Sequence, residues 1–479
     1  MSKRITLQIL ALLSLVLVSC SDDENFSSST MNYLTFSQDS IALDTVFSNV
    51  PTVTKTFWVY NNSSSGIRCS DIRLERGSQS GFRVNVDGVD LSKAGSTQYV
   101  EIRKGDSIRV FVELTSKTQN KVDPNLVEDN LVFTLESGNQ QKVNLNAYSW
   151  DATMLRNYHV TGEETFTGDR PVVIYGGLTV DSAATLHLSP GTTLYFHSDA
   201  ALDVYGTLDA RGSAESNVVL RGDRLDKMFD YLPYDLTPGQ WQGLRLRSSS
   251  SNNVMLYTDL HSSFNGVTID SCDVQPLKLH AEASMIHNCQ GYGLLSNNAT
   301  VELYNVQVTN TLSDCVRFEG GKAEMDNCTL AQFYPFDSNR GAALTFSNSR
   351  SPLLRLLCYN SIVTGYADDV LYGINDTTTT NAYAFLFDHC LLRTEKVTGE
   401  DTVYMPNVIY EDASDTTKGA EKNFKRIDTD SLRYDFQLDS TSVAIDAADP
   451  VTATPYDRKG RKRDDKPDMG ALEFIKERN

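Results

Sequence analysis

Between residues 31 and 150, apolar and polar positions alternate with a period of two in short runs. Clear examples are Thr54-Lys55-Thr56-Phe57-Trp58-Val59-Tyr60, Phe82-Arg83-Val84-Asn85-Val86 and Ser107-Ile108-Arg109-Val110-Phe111-Val112. Successive side chains of a strand point to opposite faces, so these runs predict strands with one buried face. Asn61-Asn62-Ser63, Asp87-Gly88, Lys104-Gly105-Asp106 and Ser137-Gly138-Asn139 separate the runs with residues that accept turn conformations. The pattern predicts an immunoglobulin-like β-sandwich over 31–150.

From Gly177 the pattern changes. Leu178-Thr179-Val180, Ala184-Thr185-Leu186-His187-Leu188, Thr193-Leu194-Tyr195-Phe196 and Leu202-Asp203-Val204 are shorter strands, divided by tight turns at Pro190-Gly191, Gly206 and Gly212. Such strands bury a core only by stacking coil upon coil. The run resembles the opening of bacterial right-handed parallel β-helices, and Trp241-Gln242-Gly243-Leu244 fits the strand that often follows. Downstream, Asn288, Asn305, Asn327, Asn360 and His389 align as one turn ladder, with unequal steps that imply loop insertions. Cys289, Cys328 and Cys390 fall at equivalent places in that alignment. Ala444-Ile445-Asp446-Ala447-Ala448-Asp449 and Asp468-Met469-Gly470-Ala471-Leu472-Glu473 are similar to the C-terminal ends of such proteins, with Ala448 where Gly is usual. The expectation is an all-β chain: the sandwich, a right-handed parallel β-helix of roughly ten coils over 151–450, and a C-terminal cap over 451–479. The resemblance is specific for fold and silent on activity, because this fold hosts both enzymes and binders.

The first residues add an address. Lys3 and Arg4 precede an apolar run from Ile5 to Val18, too short for a resident membrane helix, which ends at Ser19-Cys20. This resembles a bacterial lipobox, which implies a signal peptide over 1–19 and lipidation of Cys20. The acidic, Ser-rich stretch over 20–30 reads as a tether and resembles an export signal for the cell surface. Taken together, the chain resembles a Bacteroides-type surface lipoprotein with a right-handed parallel β-helix. The resemblance implies attachment to the outer membrane of a Gram-negative bacterium through the lipid.

Composition narrows the partners. The 479 residues carry 43 Lys+Arg against 62 Asp+Glu, a net charge of −19, which argues against nucleic acid. Of eight Cys, the seven after Cys20 read as buried, reduced thiols. No Cys-x₂-Cys pair is present, and His187 and His197 lack a metal-like partner pattern, so no metal site is expected.

Hydrolase and nucleotide-binding signatures are absent. A lyase on this fold needs a carboxylate cluster for Ca²⁺, the one cofactor considered, with Asp270, Asp273, Asp368 and Asp369 as candidate ligands. Adjacent acids on a regular strand point to opposite faces, which disfavours the pair Asp368-Asp369. The most distinctive stretch runs from Arg221 to Trp241 and interrupts the coil pattern. It places Tyr231, Tyr234 and Trp241 beside Asp223 and Arg224. Aromatic faces stack on sugar rings and the charged groups bond their hydroxyls, so these five are the candidate ligand-binding residues. The expected role is non-catalytic binding or structural presentation at the cell surface, with polysaccharide as partner and no catalytic residue assigned. The alternatives are a polysaccharide lyase or glycoside hydrolase working on the β-helix face, and an adhesin.

Overall fold

Strand formation follows the alternation closely. The computed structural model describes residues 25–415 and 417–475; Cys20 and the leader lie outside the described residues. The chain divides into two compact units between Asp151 and Ala152.

The first unit is a two-sheet β-sandwich. One sheet has the order Thr35–Phe36, Lys55–Tyr60, Ser107–Leu114, Phe82–Val86, Val89–Asp90. The other has the order Ser40–Phe47, Gln140–Trp150, Asn125–Leu135, Ile67–Leu74, Ser96–Thr97. Pairing is antiparallel except between Gln140–Trp150 and Ser40–Phe47, which run parallel. The inward positions of the alternating runs, among them Phe57, Val59, Val84, Val110 and Val112, form one buried core.

The second unit is a parallel β-helix with three faces. Nine strands, including Thr185–Leu188, Thr207–Arg211, Leu277–Glu282, Thr300–Tyr304, Gly321–Asp326 and Leu353–Tyr359, form the first face. The second face includes Thr193–Phe196, Val218–Gly222, Thr258–His261, Met285–Cys289, Gln307–Thr311, Thr329–Gln332 and Ile362–Gly365. The third includes Leu202–Val204, Leu244–Leu246, Val267–Ile269, Leu294–Asn297, Val316–Glu319, Leu344–Ser347 and Leu371–Ile374. Where no insertion intervenes a coil is 22 residues long, as between His280 and Glu302.

Stacking explains why the coils hold. Leu194, Leu220, Leu260, Ile286, Val308, Leu330, Val363 and Leu392 lie in register on successive rungs of the second face, pointing inward. Each is buried and contributes about 1.5–3 kcal/mol of transfer free energy. The seven cysteines among the described residues are free thiols, and all but Cys272 are buried.

Three expectations are corrected. Asn288 does not belong to the ladder of Asn305, Asn327 and Asn360. It lies within a strand of the second face, Met285–Cys289, while the left-handed position equivalent to Asn305 one coil earlier is Ala283. Cys289 lies on that same second-face strand, so it is not equivalent to Cys328 and Cys390. The C-terminal segment, expected as a cap, runs along the ladder as a strap. Asp449 donates its N–H to Asn360, Thr454 bonds Asn327 and Asn305, and Asn305 donates to the Tyr456 carbonyl. The strap passes beside Tyr257 at Gly460 and returns to place the Gly470 N–H on Asn360. Arg463 is its buried hub, bonding Glu473, Asn305 and the carbonyls of Asp468 and Gly470.

Candidate functional site

Outward residues of the second face are unusually covered, and the cover comes from two segments outside the coil repeat. The hairpin Phe424–Asp428 with Arg433–Leu438 packs Phe424, Phe436 and Leu438 against Ala331, Phe333, Ile362 and Leu391. The insertion after Gly222 supplies Asp235. Its carboxylate meets His261 Nε2 at 2.8 Å and Arg221 at 2.8 Å.

Beneath that cover lies a histidine–carboxylate cluster. His261 and His287 occupy equivalent places on adjacent rungs, and their rings stack with centroids 4.8 Å apart. Asp259, two residues before His261 and on the same side of its strand, lies 2.9 Å from His261 Nδ1 and 3.1 Å from His287 Nε2. Burial disfavours the His261 imidazolium, but the facing Asp259 and Asp235 carboxylates outweigh it and raise the pKa to about 9. Burial likewise opposes ionisation of Asp259, and the two imidazoles overcome it, holding that carboxyl well below the usual range.

His287 also lines a cavity of about 380 Å³ between the coils and the hairpin. Met285, Leu236, Tyr434 and Phe436 give it apolar and aromatic walls; Asn288, Gln307, Asn310, Arg426, Arg433 and Asp435 give it polar groups. Asn288, Gln307 and Asn310 are largely buried residues whose carboxamides line the cavity, and none of those carboxamides bonds another group among the described residues. Among the described residues, Asn310 Oδ1 and the Tyr434 hydroxyl are buried with no hydrogen-bond partner. These groups give the cavity wall donors and acceptors of the kind that pair with a hydroxyl-rich ligand.

The five predicted ligand-binding residues scatter. Trp241 is fully buried: it stacks on Phe196 at 4.3 Å and donates its Nε1–H to the His261 carbonyl at 2.9 Å. It is therefore a core residue supporting the cluster and is not available to a ligand. Arg224 is tied bidentate to Asp226, with its guanidinium 3.8 Å from the Tyr234 ring centroid. Asp223 accepts from His197 at 2.8 Å; burial raises its pKa against the pull of that imidazole. Tyr231 alone is well exposed, stacked on the exposed Phe229. The Ca²⁺ candidates do not converge. Asp270 pairs with Arg247 and Asp273 caps Gln275, whereas Asp368 and Asp369 precede a strand four rungs further along the third face.

The first face carries a second acidic group. His280 sits over Glu302, which sits over Glu324 on the next rung. Beside them Glu282, Tyr304, Asn305 and Asp326 line a cavity of about 330 Å³ against residues 452–456 of the strap. Burial pushes the Asp326 carboxyl up to about 7, against a hydrogen bond from Asn360 that favours the charged form.

Asp259, His261 and His287 were legible only with the coil register in hand. Asp259-Leu260-His261 and Met285-Ile286-His287 repeat an apolar residue before His one coil apart, and that repeat is the sequence signal.

No protein-family model matches the sequence, and no curated protein matches it. Among solved structures, a family 123 glycoside hydrolase from Clostridium perfringens is 9% identical over 24% of this chain and 26% of that chain, with a TM-score of 0.17. The Agl-KA catalytic domain is 11% identical over 70% of this chain and 80% of its own, with a TM-score of 0.18. Dex49A from Penicillium minioluteum is 10% identical over 77% of this chain and 75% of its own, with a TM-score of 0.18. Overlaps this slight carry no argument about activity.

Proposed function

We propose that this chain is a glycan-binding lipoprotein of the cell surface, anchored in the outer membrane through Cys20. In this reading the sandwich is an immunoglobulin-like spacer and the β-helix is the binding element. One observation carries the glycan assignment: the carboxamides of Asn288, Gln307 and Asn310, without a partner among the described residues, stand beside Tyr434 and Phe436 in one cavity. Aromatic faces with amide and guanidinium groups around them suit a polyhydroxylated ring. A hydrolase reading is favoured by Glu302 lying directly over Glu324, because rungs ~4.8 Å apart set carboxylates near the spacing that glycoside hydrolysis uses.

The test is a panel of acidic and neutral polysaccharides offered to residues 21–479, with and without Ca²⁺, reading both retention and new chain ends. Retention without product supports the binding reading. New reducing or unsaturated ends overturn it in favour of the enzyme. No response to any polysaccharide removes the glycan assignment. Metabolic labelling with a fatty-acid analogue, lost in Cys20→Ser, tests the anchor separately.

A further inference from the structure

We propose that Asp259, His261 and His287 bind a divalent transition-metal ion in the wall of the second-face cavity. Asp259, His261 and His287 each offer one ligand atom within 4.8 Å of the other two, and Asp259 Oδ1 faces both His261 Nδ1 and His287 Nε2. Zinc sits about 2.0–2.2 Å from such donors, so tetrahedral ligand atoms stand roughly 3.3 Å apart. The two Asp–His separations of 2.9 and 3.1 Å need widen by only a few tenths of an ångström. The backbone is already in place: Asp259 and His261 share one strand, and His287 is paired to His261 on the next rung.

The outer contacts match the same use. A metal-bound histidine usually donates its other ring N–H to a carboxylate, which fixes the ring and its tautomer. His261 does this toward Asp235, and Arg221 holds Asp235 in turn. Asp259 and His261 are largely buried, while His287 reaches the cavity, so three protein ligands leave the remaining position facing that space. Two nitrogens and one oxygen suit Zn²⁺, Co²⁺, Ni²⁺ or Fe²⁺ and are a poor match for Ca²⁺ or Mg²⁺. Charge permits it: the ion displaces the proton that His261 shares with Asp259, so the cluster gains one net positive charge. A water or an anionic group entering from the cavity answers that charge.

The experiment is Co²⁺ titration of the metal-free chain followed by visible absorption, with zinc retention measured by elemental analysis after desalting. One equivalent of either ion is expected, with the ligand-field bands of a low-coordinate cobalt site. His287→Ala abolishes both, His280→Ala on the first face changes neither, and Asp235→Asn weakens binding by roughly 10- to 100-fold. His287 lines the cavity, so its variant is the one expected to fold, as circular dichroism would verify. Substoichiometric retention, or equal binding by His287→Ala, overturns the site. So would nuclear magnetic resonance showing both His261 ring nitrogens still protonated in excess zinc, which would make the cluster a hydrogen-bonded network only. Metal is read here without polysaccharide, so this result and the glycan result stand or fall separately.

Discussion

Two faces of the same coils carry histidines beside acids, and they differ in what lies over them. On the first face His187 sits over Asp209 and His280 over Glu302, at 3.0 and 3.2 Å. These side chains remain 38% and 28% exposed. On the second face His261 makes contacts of the same length with Asp259 and Asp235, yet its side chain is 8% exposed. The repeat alone therefore generates His–acid pairs, between rungs or along one strand, and water screens the more exposed ones. Segments from outside the repeat, the insertion with Asp235 and the C-terminal hairpin, turn one such pair into a desolvated cluster beside a cavity.

That contrast predicts graded effects. Arg463→Ala removes the hub of the strap and leaves Glu473 buried and unpaired. It should destabilise the second unit by roughly 3–5 kcal/mol in urea unfolding. Trp241→Ala should cost about 3–5 kcal/mol through the void left against Phe196. It should also weaken retention of any cavity ligand, because His261 loses the group that holds its carbonyl. Equal retention in a folded Trp241→Ala protein would show that the cluster does not depend on its support.

Asp326 tests the strap-covered side of the first face. Its folded pKa of about 7 lies above the ordinary value of 3.8. Between those values the folded chain keeps a proton that the unfolded chain has released, so stability falls as pH rises through that window. Asp326→Asn keeps an acceptor for Asn360 and removes the titration. It should raise the melting temperature at pH 8, and the difference from the wild type should vanish below about pH 4. A gap independent of pH would contradict the assignment. The smallest effect belongs to His280→Ala, whose partly exposed pairs are worth about 0–1 kcal/mol; a larger loss of stability would break the distinction between the faces.

Much of this architecture was legible. Gly177 to Gly212 marked the stacked strands because short apolar runs between Gly turns leave few other ways to bury them. The sandwich strands followed from period-two alternation. Register was not legible, for a physical reason. Asn favours left-handed turns generally, and here it occupies two kinds. Asn305, Asn327 and Asn360 have φ of 53°, 50° and 50°, while Asn288 and Asn310, at a different corner of the coil, have 54° and 55°. The letter is the same at both corners, so Asn288 fell into the wrong ladder. The strap was hidden because the ladder carboxamides bond largely to its main chain. Trp241 was misread because its indole N–H finds a backbone carbonyl inside the core, which no spacing announces.

The two Asn corners also give the most direct test that unsatisfied polar groups over the second face exist for a ligand. Asn305 bonds Tyr456, Thr454 and Arg463, whereas Asn310 bonds no group among the described residues. Changing each to Gly relaxes the same left-handed backbone in both. The measurement is thermal unfolding of the two variants alongside their affinity for the polysaccharide that the wild type retains. The account predicts that Asn305→Gly lowers the melting temperature and keeps affinity, while Asn310→Gly keeps the melting temperature and loses affinity. Asn310→Gly with undiminished affinity, or with a stability loss matching that of Asn305→Gly, would contradict it.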